Sequence, residues 1–381
     1  MNQRTPIKPA PSARSLGGKG GYRVMVVDDS AVIRGFITRA INSDPEIEVA
    51  ASASNGQLAL NALDRNEIDV IVLDIEMPVM DGLTALPLLL RAKPGVKVIM
   101  ASTLTRQNAA ISMNALAAGA SDYIPKPTSS RGLHASGDFQ RELIAKIKAL
   151  AGKKAMRPVS GPLTATAAGQ RAPGSRPADI VLRKASMFTP EVLAIGSSTG
   201  GPQALLKVFA TLKSQVAKPI FITQHMPPTF TGILAEHITR VSGANCHEAE
   251  DDEPASSGHI YVAPGDYHMI VERKDGDPVI RLNKAPPENF CRPAVDPMLR
   301  SLAKVYGSKV FAVILTGMGQ DGANGGRAIV DAGGTMIAQD EQTSVVWGMP
   351  GAVAMAGLAS AVLPIDDVGP KIIRTFNDIA R

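Results

Sequence analysis

Short runs of β-branched and other apolar residues alternate with longer stretches of helical period along most of the chain. In the first half the runs are Val24–Val27, Glu48–Ala51, Val70–Leu73, Val96–Ala101 and Asp122–Ile124. Helical stretches fall between them, near 31–42, 57–65, 82–91, 107–118 and 139–150. Apolar residues at successive positions mark strands buried on both faces. Five strand–helix pairs predict a parallel, doubly wound sheet. The second half repeats this logic with Val192–Ile195, Ile220–Thr223, His259–Ala263, Val310–Leu315 and Thr335–Ala338. A further pair around Met269–Val271 and Val279–Leu282 reads as a β-hairpin. The expected fold class is therefore α/β: two doubly wound parallel-sheet domains, the second carrying a hairpin, joined by a flexible linker. The expected boundaries are a tail over 1–21, a first domain over 22–140, a linker over 141–187 and a second domain over 188–381.

The longest uncharged stretch, Gln342 to Pro364, is broken by Gly348, Pro350, Gly351 and Gly357 and is rich in Ala. It reads as a buried helix of a water-soluble domain, so no transmembrane segment is expected. The first 21 residues lack an apolar signal core, which points to the cytoplasm. Two cysteines, Cys246 and Cys291, do not make a disulfide framework and agree with a reducing compartment. The net charge is +5, but its location changes the picture. Arg4, Lys8, Arg14 and Lys19 sit in the tail with no acid. Lys153, Lys154, Arg157, Arg171, Arg176, Arg183 and Lys184 sit in the linker against Asp179. The folded parts are left net acidic. That argues against nucleic-acid binding, which needs a basic surface on a fold.

In a doubly wound sheet, ligands bind outside the carboxyl ends of the strands. In the first domain that edge carries Asp28 and Asp29 after strand one, Asp74 after strand three, Ser102 after strand four and Lys126 after strand five. Converging carboxylates repel one another unless a cation joins them, and oxygen-only ligands suit Mg²⁺. A carboxylate beside Mg²⁺ can be a nucleophile toward a phosphoryl group, with a Lys and a hydroxyl holding its oxygens. Residues 22–127 resemble a response-regulator receiver domain, with Asp-x-x-Met-Pro over Asp74 to Pro78, Asp81-Gly82 close behind, and Lys126-Pro127. The resemblance implies a flavodoxin-like fold and phosphorylation of Asp74 by a histidine kinase. It implies Mg²⁺ on Asp28, Asp29, Asp74 and the backbone carbonyl of Glu76. It also implies that Ser102 turns toward the phosphoryl group, that Lys126 pairs with it, and that Tyr123 is an aromatic switch.

In the second domain, Gly196-x-Ser198-x-Gly200 joins a strand to a helix with the spacing of a nucleophile elbow. Alone the motif is weak, because a Gly/Ser-rich phosphate loop or a plain turn has the same composition. A serine nucleophile needs a base. Among the six histidines, His134 lies near the end of the first domain, His237 falls in a helical stretch, His247 in an acidic irregular stretch, His259 at the wrong end of a strand and His268 near the hairpin. His225 alone directly follows a buried-looking strand at its carboxyl end. An acid to orient the imidazole is Asp321, after the strand KVFAVIL. The order Ser…His…Asp differs from the α/β-hydrolase order, so the common esterase fold is not expected. The same loop holds a competing signal: Gly317-x-Gly319-x-x-Gly322 fits a dinucleotide fingerprint, with Asp340 placed for a ribose. Against it, Asp321 would set a carboxylate beside a pyrophosphate. A third reading is a binding module whose Ser-His-Asp set is vestigial.

Residues 190–378 resemble the catalytic domain of chemotaxis protein-glutamate methylesterases. The motifs are IGSSTGGP (195–202), ITQHMPPTFT (222–231), YVAPGDYHM (261–269), RPAVDPML (292–299) and LTGMGQDGA (315–323). The resemblance implies a Rossmann-like esterase domain with Ser198 as nucleophile, His225 as base, Asp321 as acid, and oxyanion N–H groups at Thr199 and Met318. It implies a phosphorylation-activated hydrolase acting on glutamyl methyl esters of membrane-bound chemoreceptors, and on selected receptor glutamines, with no cofactor for the esterase step. Two departures stand near the site. Ser197 adds a second hydroxyl beside Ser198, and Cys291 precedes the Arg-Pro motif.

Overall fold

A computed structural model of the chain describes residues 21–126, 136–152 and 180–377. Residues 1–20 of the expected tail and residues 153–179 of the expected linker lie outside the described residues. The first domain runs β1 (Tyr22–Val27), α1 (Ala31–Asn42), β2 (Ile47–Ala53), α2 (Gly56–Leu63), β3 (Val70–Asp74), α3 (Gly82–Ala92), β4 (Lys97–Ser102), α4 (Arg106–Ala117), β5 (Asp122–Pro125) and α5 (Ser136–Ala151). Its sheet order is β2-β1-β3-β4-β5, with every pair parallel. β3 is buried at every position, as its uniformly apolar run requires. Helices start on side-chain caps: Ser30, Asn55, Asp81 and Thr105 each accept an N–H from the first turn. Helix α5 runs through the first residues of the span expected as linker. It buries Leu143, Ile147 and Leu150 against β1 and β3 residues, and that apolar stripe is why the chain stays helical there.

The second domain runs β6 (Val192–Ser197), α6 (Gly201–Leu212), β7 (Ile220–Gln224), α7 (Phe230–Ser242), β8 (Asn245–Glu248), β9 (His259–Val262), β10 (His268–Lys274), β11 (Asp277–Asn283), α8 (Val295–Tyr306), β12 (Val310–Ile314), α9 (Ala323–Asp331), β13 (Thr335–Gln339), α10 (Met349–Met355), β14 (Ala361–Leu363) and α11 (Ile365–Asn377). Its main sheet is β14-β13-β12-β6-β7-β9-β8, again parallel throughout, and β10-β11 forms the antiparallel hairpin. Two edge strands depart from the sequence reading. His247 sits in β8, a short polar strand that pairs only with β9, not in an irregular stretch. The uncharged stretch over 342–364 is not one helix: it divides into α10 and β14, as its Pro and Gly residues dictate.

The topology fixes where ligands can sit. The chain leaves β1 in one direction for β2 and in the other for β3, and leaves β6 one way for β7 and later the other way for β12. Each reversal opens a crevice beyond the carboxyl ends of the strands that flank it.

Candidate functional sites at the two crevices

In the first crevice, Asp28 follows β1, Asp74 closes β3 and Lys126 follows β5. Lys126 Nζ lies 2.7 Å from Asp28 Oδ2 and 2.6 Å from Asp74 Oδ1. Asp28, Asp29 and Asp74 offer oxygens within 4.8 Å of one another, and Asp29 and Asp74 line a cavity of about 190 Å³ with Glu76, Ser102 and Lys126. An all-oxygen set of this size fits a hard divalent cation, and one ammonium does not balance three carboxylates. Burial raises Asp74 to about 6, against the opposing pull of Lys126. Gly82 lets α3 begin against the end of β3: a Cβ there would come 2.1 Å from the Asp74 carbonyl oxygen. The Ser102 hydroxyl is not on Asp74. It accepts from Ser112 Oγ at 3.0 Å, so reaching a group on Asp74 requires it to turn.

In the second crevice, Ser198 follows β6, His225 follows β7 and Asp321 follows β12. His225 Nε2 donates to Asp321 Oδ2 at 2.8 Å. Asp321 is 1% exposed, and its oxygens also accept from the N–H groups of Val295 and Asp296 and from Asn289 Nδ2. Burial opposes its charge, but His225 and these donors hold it below the usual carboxylate range. Asp296 is raised, by burial first and by the Asp321 charge, while the Gly325 N–H opposes. Asn289 Nδ2 donates to Asp296 Oδ2 as well, so the two acids share one amide. Two adjacent carboxylates are thereby split, Asp321 ionised and Asp296 the one that takes a proton first.

Ser198 and His225 are brought to the same crevice but are not hydrogen-bonded. Among the described residues the Ser198 hydroxyl has no partner, and His225 Nδ1 instead faces Cys291 Sγ at 3.3 Å. Burial opposes charge on His225, yet the Cys291 sulfur and Asp321 outweigh it and raise the imidazole to about 10. Ser198 N–H donates to Thr316 O, which ties the β6 and β12 loops together. Gly317 permits that approach: a Cβ would lie 2.9 Å from Ser198 Cβ and 2.4 Å from Met349 Sδ. The backbone N–H groups of Thr199 and Met318 donate to no protein acceptor among the described residues. Free N–H groups in the two loops beside Ser198 are what an oxyanion needs. Ser197 is fully buried and donates to Gln224 Oε1 at 2.7 Å, so its hydroxyl is not in the cleft. The Gln224 amide nitrogen donates to the carbonyls of both Ser198 and His225. Asp340 accepts from Thr343 N and Oγ1 within its own turn.

Sequence reasoning left Asn289 out, and Cys291 entered only as a departure. Both lie on the turn Glu288–Cys291, closed by reciprocal backbone bonds between its end residues. Asn289 (φ 52°) and Phe290 (φ 64°) are both left-handed, at a cost on the order of 1 kcal/mol for the phenylalanine. Asp296 had a signal, since it lies within the Arg-Pro-Ala-Val-Asp segment, but its partnership with Asp321 depends on α8 packing against α9.

The first domain lies across the second. The rings of Tyr123 and Phe230 stack at 4.4 Å and 11°. Gln203 Nε2 donates to Ala120 O at 2.7 Å, and Arg106 pairs with Glu236. The Arg141 guanidinium stands 5.5 Å over the Phe290 ring, and Val345 and Val346 pack against the β1–α5 core of the first domain. Val345 in turn touches Gly200, where a Cβ would lie 2.5 Å from its side chain. Phe230, Phe290 and Val345, which the first domain touches, thus lie on the segments that follow His225, precede Cys291 and pack on Gly200.

A phosphoryl-accepting receiver coupled to a serine hydrolase is the class that these two sites and their contact define. Residues 24–137 match the response regulator receiver domain family, and residues 193–372 match the CheB methylesterase family. The protein-glutamate methylesterase/protein-glutamine glutaminase of Azospirillum brasilense is 58% identical over 381 residues, covering 96% of each chain. A Paramagnetospirillum magneticum protein of the same description is 56% identical over 377 residues, covering 96% of this chain and 97% of its own. The crystal structure of the Thermotoga maritima CheB methylesterase catalytic domain is 42% identical, covers 49% of this chain and 99% of its own, and has a TM-score of 0.48. The chain belongs to the CheB family of protein-glutamate methylesterases/protein-glutamine glutaminases. No helix among the described residues is long and apolar enough to cross a membrane.

Proposed function

We propose that this chain hydrolyses γ-glutamyl methyl esters of membrane-bound chemoreceptors, releasing methanol in the cytoplasm, and deamidates selected receptor glutamines by the same acyl chemistry. The observation that carries the reading is the buried His225–Asp321 pair at 2.8 Å, in one crevice with a Ser198 hydroxyl that has no partner among the described residues. Ser198 Oγ attacks the ester carbonyl as its proton passes to His225 Nδ1. The carbonyl electrons move onto oxygen, where the Thr199 and Met318 N–H groups stabilise them. His225 returns the proton to the methoxy group, methanol leaves, and water hydrolyses the glutamyl–Ser198 ester by the same route. For a glutamine side chain the leaving group is ammonia. Asp321 keeps Nε2 protonated throughout and balances the imidazolium.

The first crevice regulates this chemistry. Asp74 accepts a phosphoryl group from a histidine kinase. Asp28, Asp29, Asp74 and the Glu76 carbonyl would hold Mg²⁺, which supplies charge neutralisation for the incoming phosphoryl oxygens when bound. Lys126 stays beside the modified Asp74, and Ser102 turns from Ser112 toward it. Tyr123 follows Ser102 inward, which removes one half of its stack on Phe230 and loosens the receiver from the cleft. The test is methanol release from methylated receptor membranes, with and without Mg²⁺ and a small phosphodonor. Release that rises with phosphodonor, loses that rise in Asp74→Asn and vanishes in Ser198→Ala supports the reading. No release from wild type, with the receptors verified as methylated, defeats it.

A further inference from the structure

We infer that Cys291 is a positioning residue for the base: with the receiver docked, its sulfur occupies the His225 nitrogen that Ser198 must reach. This inference rests on the reading of Ser198 and His225 as nucleophile and base. Asp321 accepts from Nε2, so Nδ1 is the only ring nitrogen left for the serine proton. Cys291 Sγ lies 3.3 Å from Nδ1, and the Ser198 hydroxyl is unpaired among the described residues. A thiol there has two arrangements. It donates its S–H to the Nδ1 lone pair, or the proton moves fully to nitrogen, leaving a thiolate against an imidazolium. In neither arrangement is the lone pair free for Ser198.

The sulfur is delivered by a turn that holds an unusual shape. Asn289 and Phe290 are both left-handed, and the backbone bonds between Glu288 and Cys291 close the turn around them. Phe290 is 88% exposed, and Arg141 of α5 stands over its ring. The receiver thus touches the same four-residue turn whose last side chain lies on the base. The other groups facing this pair are accounted for. Asp321 is on Nε2, Asp296 lies behind Asp321, and Arg300 is paired with Glu288 by two bonds. The charges that act on His225 are those of Asp321, on Nε2, and Cys291, on Nδ1. Undocking the receiver removes the Arg141 contact, lets the turn shift, and frees Nδ1 for Ser198.

The experiment is the rate at which a fluorophosphonate labels Ser198 in the full-length protein, followed by mass spectrometry across the neutral pH range. Wild type, Cys291→Ala and Cys291→Ser are compared with and without a small phosphodonor and Mg²⁺, with Ser198→Ala and His225→Ala as controls. Without phosphodonor, Cys291→Ala is expected to label on the order of tenfold faster than wild type near neutral pH. Its pH–rate inflection falls below that of wild type, and its stimulation by phosphodonor shrinks. Cys291→Ser, which cannot hold a thiolate, also shifts the inflection downward and carries the test if the alanine variant does not fold. Pulling the inflection down is not an effect of packing alone. Unshifted profiles and wild-type rates in the folded variants overturn the inference. Labelling of His225→Ala at the wild-type rate overturns instead the reading of His225 as base.

Discussion

Replacing Tyr123 with alanine removes the receiver half of the aromatic stack at the domain contact. The ring is 4% exposed and lies 4.4 Å from Phe230, nearly parallel to it. Such a pair contributes about 0.5–1.5 kcal/mol beyond the area it buries. The polar contacts across the same seam are individually of similar size or smaller. Arg106 and Glu236 have side chains 78% and 55% exposed, and exposed pairs contribute about 0–1 kcal/mol. The Gln203–Ala120 bond adds about 1 kcal/mol. Taking about 1.4 kcal/mol for the lost ring, the docking equilibrium falls by about tenfold. Methanol release by unphosphorylated protein should rise by about that factor, limited by the fully open rate. Stimulation by phosphodonor should shrink correspondingly. Tyr123→Phe keeps the ring and should behave as wild type before phosphorylation. Lys146 Nζ also lies 5.1 Å from the Tyr123 ring centre; the phenylalanine variant keeps both ring contacts and removes only the hydroxyl. A Tyr123→Ala protein that is folded, has wild-type basal release and keeps full stimulation would refute the claim that this stack holds the cleft closed.

Four further outcomes are expected. Asp74→Asn should stabilise the receiver in metal-free buffer above pH 6. The native pKa lies near 6 against 3.8 for the free group, so the stability associated with the neutral acid is lost as pH rises through that window. The shift corresponds to about 3 kcal/mol, discounted to about 1–2 kcal/mol for water in the open cavity, and denaturation at pH 4.5 and about 7.5 reads it. Added Mg²⁺ should reverse the order of the two proteins. Ser197→Ala should leave methanol release near wild type and cost about 1–2 kcal/mol in thermal unfolding, because Gln224 Oε1 loses its buried donor. Gly317→Ala should depress turnover more than stability, since the new methyl group meets Ser198 directly; a variant with full turnover contradicts that packing. Asn289→Ala should raise the pH at which release begins, because Asp321 and Asp296 lose the amide that accommodates both charges.

Much of this architecture is legible in the sequence because buried parallel strands leave a continuous apolar signature. β3, β6, β7 and β12 are buried at every position, and each was readable as a run. The residues at their carboxyl ends followed, since a strand end fixes a side chain within a few ångströms of the crevice. β8 escaped because Asn-Cys-His-Glu has no apolar run, and β14 because it is three residues long. α5 was readable as a helix, but whether it belonged to the first domain depended on Leu143, Ile147 and Leu150 finding the sheet. The contacts of Cys291 and Asn289 with the His225–Asp321 pair were not legible for a different reason. They depend on a left-handed turn at Phe290, a position that no local preference would select.

The Gln224 side chain has a kinetic consequence. Through one amide it fastens Ser197 Oγ, the Ser198 carbonyl and the His225 carbonyl, so the chain segments bearing nucleophile and base travel as a single rigid piece. Activation therefore has no scaffold to assemble. It has only an obstruction to lift, and the turnover number at saturating receptor should be the same for the phosphorylated protein and for a permanently undocked one.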